Sequence, residues 1–309
     1  MKVLFMGTPD FAVKPLQALI KNGYDVVGAV TQPDKPVGRK AILTAPAVKI
    51  EAENNGIKVF QPQTLKNGEG MEILNELNPD VVIVVAYGKL LPKDFLEFSK
   101  YGCINIHGSL LPKYRGAAPI QRCVIDGEKY AGVTSMQMDV GLDTGDMLLK
   151  EVTEIGENET SGELFERLSD MGADLLIKTL KALEKGELKP EKQNDSESTY
   201  ASMLDKAMSR IDWNKSAREV HNLIRGLDPW PVAQTELDGK KLKLFSSSVS
   251  NELFGGVAGE VRNLKNGLAV FCGDSKAVVI SEVQFEGKKR MKAVDFLRGH
   301  PIQDGFIFQ

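Results

Sequence analysis

The chain has 309 residues, 42% of them hydrophobic, and a formal net charge of −3. That length suits about two domains, since a single core rarely grows past roughly 250–300 residues. No apolar run reaches the 18 or so residues of a membrane helix, and mild acidity argues against a general nucleic-acid coat.

Met1–Gly7 is too short an apolar run for a signal peptide and reads directly as a strand, Val3–Met6, closed by Gly7-Thr8-Pro9. Phe11, Leu16, Leu19 and Ile20 fit one helix face that ends near Asn22-Gly23. Val26–Val30 is a second strand. A polar loop covers Thr31 to Lys40, and a helix runs through Val48 and Ala52. Lys58–Phe60 is a third strand, and a helix near Met71–Leu77 leads into Val81–Ala86. Its five consecutive β-branched residues imply burial on both faces, as in a parallel sheet covered by helices. Cys103–Ile106 is a further strand. This alternation predicts a doubly wound, mostly parallel α/β domain of Rossmann-like type.

Ala131–Met138 and Met147–Ile155 read as strands around the turn Gly141-Leu142-Asp143-Thr144-Gly145. Thr160–Glu184 is a long amphipathic helix. Gly186 to Ser198 is polar and aperiodic, a linker, and the domain boundaries are set at 1–189, 190–205 (linker) and 206–309. A helix follows Ser216 and ends near Gly226. Short strands then recur at Val232–Leu237, Lys241–Ser246, Gly259–Arg262, Leu268–Phe271 and Ala277–Val283, with turns at Asp238-Gly239 and Lys265-Asn266-Gly267. They predict a small β-barrel or sandwich. Trp230, between two prolines, is expected in the core at the helix-to-barrel junction.

Charge is uneven along this plan. Residues 151–197 hold 6 basic and 13 acidic side chains, net −7, and five of the acidic ones lie on the long helix. Residues 206–309 hold 16 and 12, net +4. A locally basic module on a near-neutral domain permits one polyanion docked across two domains. Cys103, Cys123 and Cys272 are scattered without a Cys-x-x-Cys pair. No disulfide framework or metal site is expected, and the compartment is a reducing one.

Gly7-Thr8-Pro9-Asp10-Phe11-Ala12 occupies the place of a dinucleotide fingerprint but lacks its second and third glycines, so NAD-type binding is disfavoured. The densest polar feature is Asn105-Ile106-His107-Gly108-Ser109-Leu110-Leu111-Pro112. It lies at a strand's carboxyl end, where open α/β sheets place ligands. Alternation points Asn105 and His107 to one side. An amide and an imidazole there can hold a carbonyl oxygen that gains negative charge. Asp143, in a glycine-flanked turn, is the complementary carboxylate that would orient His107. His221 and His300 are assigned surface or packing roles.

Asn-x-His-Gly-Ser-Leu-Leu-Pro followed by Gly-Leu-Asp-Thr-Gly resembles the 10-formyltetrahydrofolate-dependent formyltransferases. Gly-Thr-Pro-Asp-Phe-Ala, the run from Arg115 to Gln121, Ile211-Asp212-Trp213 and Pro229-Trp230-Pro231 extend the resemblance over nearly the whole chain. They resemble the branch whose acceptor is initiator methionyl-tRNA. The resemblance implies Asn105, His107 and Asp143 as the catalytic trio. It implies Ser109, Leu110, Leu111 and Pro112 as the folate-contacting loop, 10-formyltetrahydrofolate as formyl donor, and no metal. It further implies an OB-like barrel, a monomer and a cytoplasmic enzyme of translation initiation.

Its tRNA-contacting loop corresponds to Gln32–Lys40, with Arg39 and Lys40 as contacts. Near the junction the family often reads Lys-x-x-Lys-Glu-Glu; here Met203–Ser209 retains only Lys206. The alternative reading is a formyltransferase for a small amine such as an amino-sugar nucleotide. A purine-pathway enzyme is disfavoured because it lacks the C-terminal β module.

Overall fold

The computed structural model describes residues 1–38, 41–66 and 68–309. Arg39 and Lys40 lie outside the described residues. The chain forms two compact units. One comprises residues 1–119, 131–153 and 165–201; the other comprises 120–130, 154–164 and 202–309.

In chain order the first part holds β1 (Lys2–Gly7), α1 (Val13–Lys21), β2 (Asp25–Val30), β3 (Lys35–Val37), β4 (Ile42–Thr44), α2 (Ala47–Asn54), β5 (Val59–Phe60), α3 (Glu69–Leu77), β6 (Val81–Val85), α4 (Lys93–Leu96) and β7 (Cys103–His107). It continues through β8 (Arg115–Gly116), α5 (Pro119–Ile125), β9 (Tyr130–Gln137), β10 (Met147–Glu154), α6 (Ser161–Lys185) and β11 (Tyr200–Ala201). The main sheet has the order β10-β9-β7-β6-β1-β2-β5. Its β5, β2, β1, β6 and β7 run parallel, and β9 is antiparallel to β7. The predicted doubly wound plan is realised. The chain winds outward from β1 through β2 to β5, then returns to β6 on β1's other side, and the carboxyl ends at such a reversal are where these sheets bind ligands.

All five residues of β6 are buried, as the β-branched run required. Each such side chain contributes roughly 1.5–3 kcal/mol relative to exposure. Gly7 ends β1 because a Cβ there would lie 2.7 Å from the Ala12 Cβ and 2.9 Å from the Val85 carbonyl oxygen. Helix α6 buries Leu164, Leu168, Leu175, Leu176 and Leu180. It leaves Glu163, Glu166, Asp170, Asp174 and Glu184 exposed, so much of the acidic block is its solvated face. Among the described residues no helix is long and apolar enough to cross a membrane.

Two expectations are corrected in this unit. The 31–40 segment is not all loop: β3 pairs antiparallel with β4 and exposes Ile42 and Leu43. Nor is 190–205 a free linker. Its β11 pairs parallel with β8, and Arg115 N and Ala117 N donate to the Thr199 and Ala201 carbonyls, each at 2.9 Å. A short strand edge captured it, which polar composition alone does not announce.

The second unit adds α7 (Ala217–Gly226), β12 (Gln234–Leu237), β13 (Lys240–Phe254), β14 (Val261–Leu264), β15 (Gly267–Phe271), β16 (Lys276–Phe285), β17 (Met291–Lys292) and α8 (Ala293–Gly299). The sheet is antiparallel in the order β12-β13-β16-β15-β14, with β17 on β16. Strand β13 shifts register against β16 between Val249, which pairs with Val278, and Phe254, which pairs with Lys276. Such irregularities bend a sheet towards a barrel. Helix α7 begins at a reciprocal capping box, Ser216 with Glu219.

The unit is not the contiguous piece 206–309. Residues 120–130 and 154–164 join it through buried side chains of α7. Arg225 donates to the Glu159 carbonyl at 3.1 Å, and His221 donates to that of Glu157 at 3.0 Å. Trp230 is a further correction, being 52% exposed. Leu227 and Pro231 are buried while Pro229 and Trp230 bow outward. Trp213 fills the core instead, donating to Thr235 at 3.4 Å and stacking on Phe308.

Candidate active site

Strand β7 carries Asn105 and His107 two residues apart, hence on one side, at the sheet's carboxyl edge. Both are buried, at 8% and 7% exposure. The imidazole Nε2 lies 2.9 Å from the Tyr114 carbonyl oxygen. A carbonyl only accepts, so Nε2 carries the hydrogen and Nδ1 is left for chemistry. Nδ1 faces Asp143 Oδ2 at 3.7 Å. That is too long for a hydrogen bond, and the contact becomes an ion pair only when the ring also carries a proton on Nδ1. The structure thus brings Asp143 up to His107, 36 residues before it in the chain and two residues after Asn105 on β7.

The turn that carries Asp143 is held from several directions. Asp143 adopts φ 53°, a left-handed conformation costly for any residue with a Cβ. Gly145 is required beside it, because a Cβ there would lie 1.7 Å from the Gln137 carbonyl oxygen. The Gly116 N–H donates to Asp143 Oδ2 at 2.8 Å. These are the packing reasons for glycines around this aspartate.

The loop 108–113 is anchored by Thr134, a fully buried β9 residue that sequence reasoning missed. Its hydroxyl donates to the Ser109 carbonyl at 2.7 Å and accepts from the Leu111 N–H at 3.2 Å. Ser109 Oγ donates to the Lys113 carbonyl at 2.7 Å. Half-buried Leu110 and Pro112 offer apolar surface beside backbone polar groups. A polar residue in mid-strand opposite the motif is the signal that would have found Thr134: it pairs with His107 across β7 and β9.

Lys206 is exposed at the start of a short 3-10 turn, Lys206–Ser209, capped by Asp205, whose Oδ1 accepts from Ala207 N and Met208 N. The three cysteines are free and buried. Burial pushes each thiol up to about 12, which removes them as nucleophiles.

A family model described as formyl transferase matches residues 1–180, and one described as formyl transferase, C-terminal domain, matches residues 203–301. The chain belongs to the formyl transferase family. Among its relatives, a protein of Alkaliphilus metalliredigens named methionyl-tRNA formyltransferase is 51% identical over 308 residues, covering 99% of this chain and 98% of that one. Another of that name, from Caldanaerobacter subterraneus, is 48% identical and covers all of both chains. Two solved structures share the fold. The sugar 3N-formyl transferase WlaRD, solved with dTDP and 5-N-formyl-THF, gives a TM-score of 0.71 at 22% identity, over 94% of this chain and 99% of that one. HypX from Aquifex aeolicus, in complex with tetrahydrofolic acid, gives 0.63 at 15% identity, over 100% of this chain and 50% of that one.

Proposed function

We propose that the chain transfers the formyl group of 10-formyltetrahydrofolate to the α-amino group of methionine on initiator methionyl-tRNA. One observation carries the reading. The relatives named for that reaction align over both units at about half identity, in a chain whose buried His107 faces the Asp143 carboxylate at the carboxyl edge of β7.

The formyl donor supplies an electrophilic carbon on an aniline-type nitrogen, which leaves more readily than an alkyl amine. Asn105 donates its amide hydrogen to the formyl oxygen as negative charge builds there. His107 Nδ1 takes the proton that the attacking amine releases and returns it to the departing nitrogen, so the proton count closes. His107 is cationic between those two events. Its Nδ1–H can then support the same oxygen, and Asp143 faces the new positive charge at 3.7 Å. The Tyr114 carbonyl keeps Nε2 protonated throughout and so fixes which nitrogen works.

Ser109, Leu110, Leu111 and Pro112 form the contact surface for the folate. Arg39, Lys40 and Lys206 contact the tRNA, and the β-barrel-like module of residues 206–309 belongs to tRNA binding. The reaction belongs to a reducing cytoplasm, with which three free buried thiols agree.

Formylation assays settle the acceptor. Charged initiator tRNA is compared with amino-sugar nucleotides under one donor concentration. Turnover on the tRNA at least ~10³ times that on the sugars is expected, because a polar site rejects acceptors that leave its groups unpaired. Preference for a sugar nucleotide overturns the assignment.

A further inference from the structure

The polar stretch after α6 closes on the turn that carries Asp143. Gln193 Nε2 donates to two carbonyls at once, those of Asp143 and Gly145, each at 2.8 Å. Its Oε1 accepts from Arg115 Nε at 3.0 Å. The same guanidinium donates to Asp195 Oδ1 at 2.7 Å. Gly116, next to Arg115, donates its N–H to the Asp143 carboxylate at 2.8 Å.

Asp143 is therefore gripped on both sides, its carboxylate by the backbone of β8 and its carbonyl by Gln193. Arg115 ties the two grips together. A primary amide is the neutral group that suits this place, since it offers two N–H donors and one acceptor. A glutamate would set its carboxylate against two carbonyl oxygens. Asp143 needs such a grip because its left-handed backbone gains nothing from its own torsions.

We propose that Gln193 is a positioning residue of the reaction, itself set by Arg115, and that it fixes the Asp143 carboxylate against His107. The proposal rests on the role given to Asp143 above. Gln193 touches no substrate; it acts through the turn.

The test is a double-mutant cycle read by steady-state kinetics. Gln193→Glu and Gln193→Met are each made alone and in an Asp143→Asn background. Each single change is expected to lower kcat by about 10–100-fold, since misplacing a catalytic group by an ångström costs about that much. KM for either substrate is expected to stay within about threefold. In the Asp143→Asn background the same change is expected to cost less than about threefold, because no carboxylate remains to be positioned.

Equal losses in both backgrounds, or a loss confined to KM, overturn the proposal. Near wild-type turnover in Asp143→Asn alone defeats the role of Asp143 and the proposal with it, a result distinct from the first. Should the Gln193 variants fail to fold, Asp195→Asn gives a second reading, because it removes only an exposed anchor of Arg115. A loss of about twofold to fivefold in kcat is then expected, absent in the Asp143→Asn background. No loss in either background overturns the tie through Arg115.

Discussion

Two buried histidines, one in each unit, show how burial separates chemistry from architecture. His221 has no exposure at all. Ser247 Oγ lies 2.8 Å from its Nδ1 and the Glu157 carbonyl 3.0 Å from its Nε2, so both nitrogens are used. His107 is almost as buried, yet only its Nε2 is bonded; Nδ1 looks across 3.7 Å at a carboxylate. A saturated ring is a structural link between elements. A ring with one nitrogen left unbonded keeps that nitrogen free for another partner.

The comparison breaks first at His107. His107→Ala and Asp143→Asn are each expected to lower kcat by about 10²–10⁴-fold, measured by formylation kinetics, with little change in the denaturant midpoint. Near wild-type turnover in either would end the distinction. The mirror experiment is His221→Ala. It is expected to cost about 3 kcal/mol of stability, from lost packing and stranded partners, with kcat per folded molecule unchanged. Urea unfolding beside an activity titration reads both.

The pH dependence of stability follows from the same contrast. Burial, opposed by the Glu157 carbonyl and reinforced by Arg225 and Arg218, holds His221 below its ordinary value of 6.5. As pH falls, the unfolded chain takes up the proton first. The contribution is therefore full above about pH 6.5 and declines below it until the folded imidazole also titrates. Unfolding midpoints between pH 7.5 and 5.5 check this, and His221→Gln should flatten the decline.

A smaller effect separates binding from chemistry. Arg39→Ala is expected to raise KM for tRNA about tenfold and leave KM for the folate unchanged. An equal shift in both would remove the loop from tRNA recognition. The smallest effect expected is none: thiol alkylation of the native protein should leave activity unaltered, since Cys103, Cys123 and Cys272 are buried with thiols near 12. Mass spectrometry should find label only after denaturation.

Much of the site was legible because its residues lie in two short runs with strong local constraints. Asn105 and His107 share a face by strand alternation. The glycines around Asp143 mark a turn that L side chains resist. Thr134, Gln193 and Arg115 were not legible as supports. Each acts through one hydrogen bond or a few to groups far along the chain, Gln193 reaching back 50 residues to Asp143 and Arg115 reaching forward 80 to Asp195. Composition labelled the 190–205 stretch as a tether for the same reason. Hydrophobicity alone puts Trp230 in the core, since it cannot say that Trp213 rather than Trp230 finds Phe308.

The sequence by itself determined the order of strands and helices, the parallel β6 core, the solvated acidic face of α6 and the two runs that carry the trio. Those follow from period and steric limits between near neighbours. Only the tertiary structure decided which nitrogen of His107 is free, where Asp143 faces it, and which segments complete the second unit. The physical reason is that a polar side chain has several partners of equal chemistry, and only the placed backbone chooses among them.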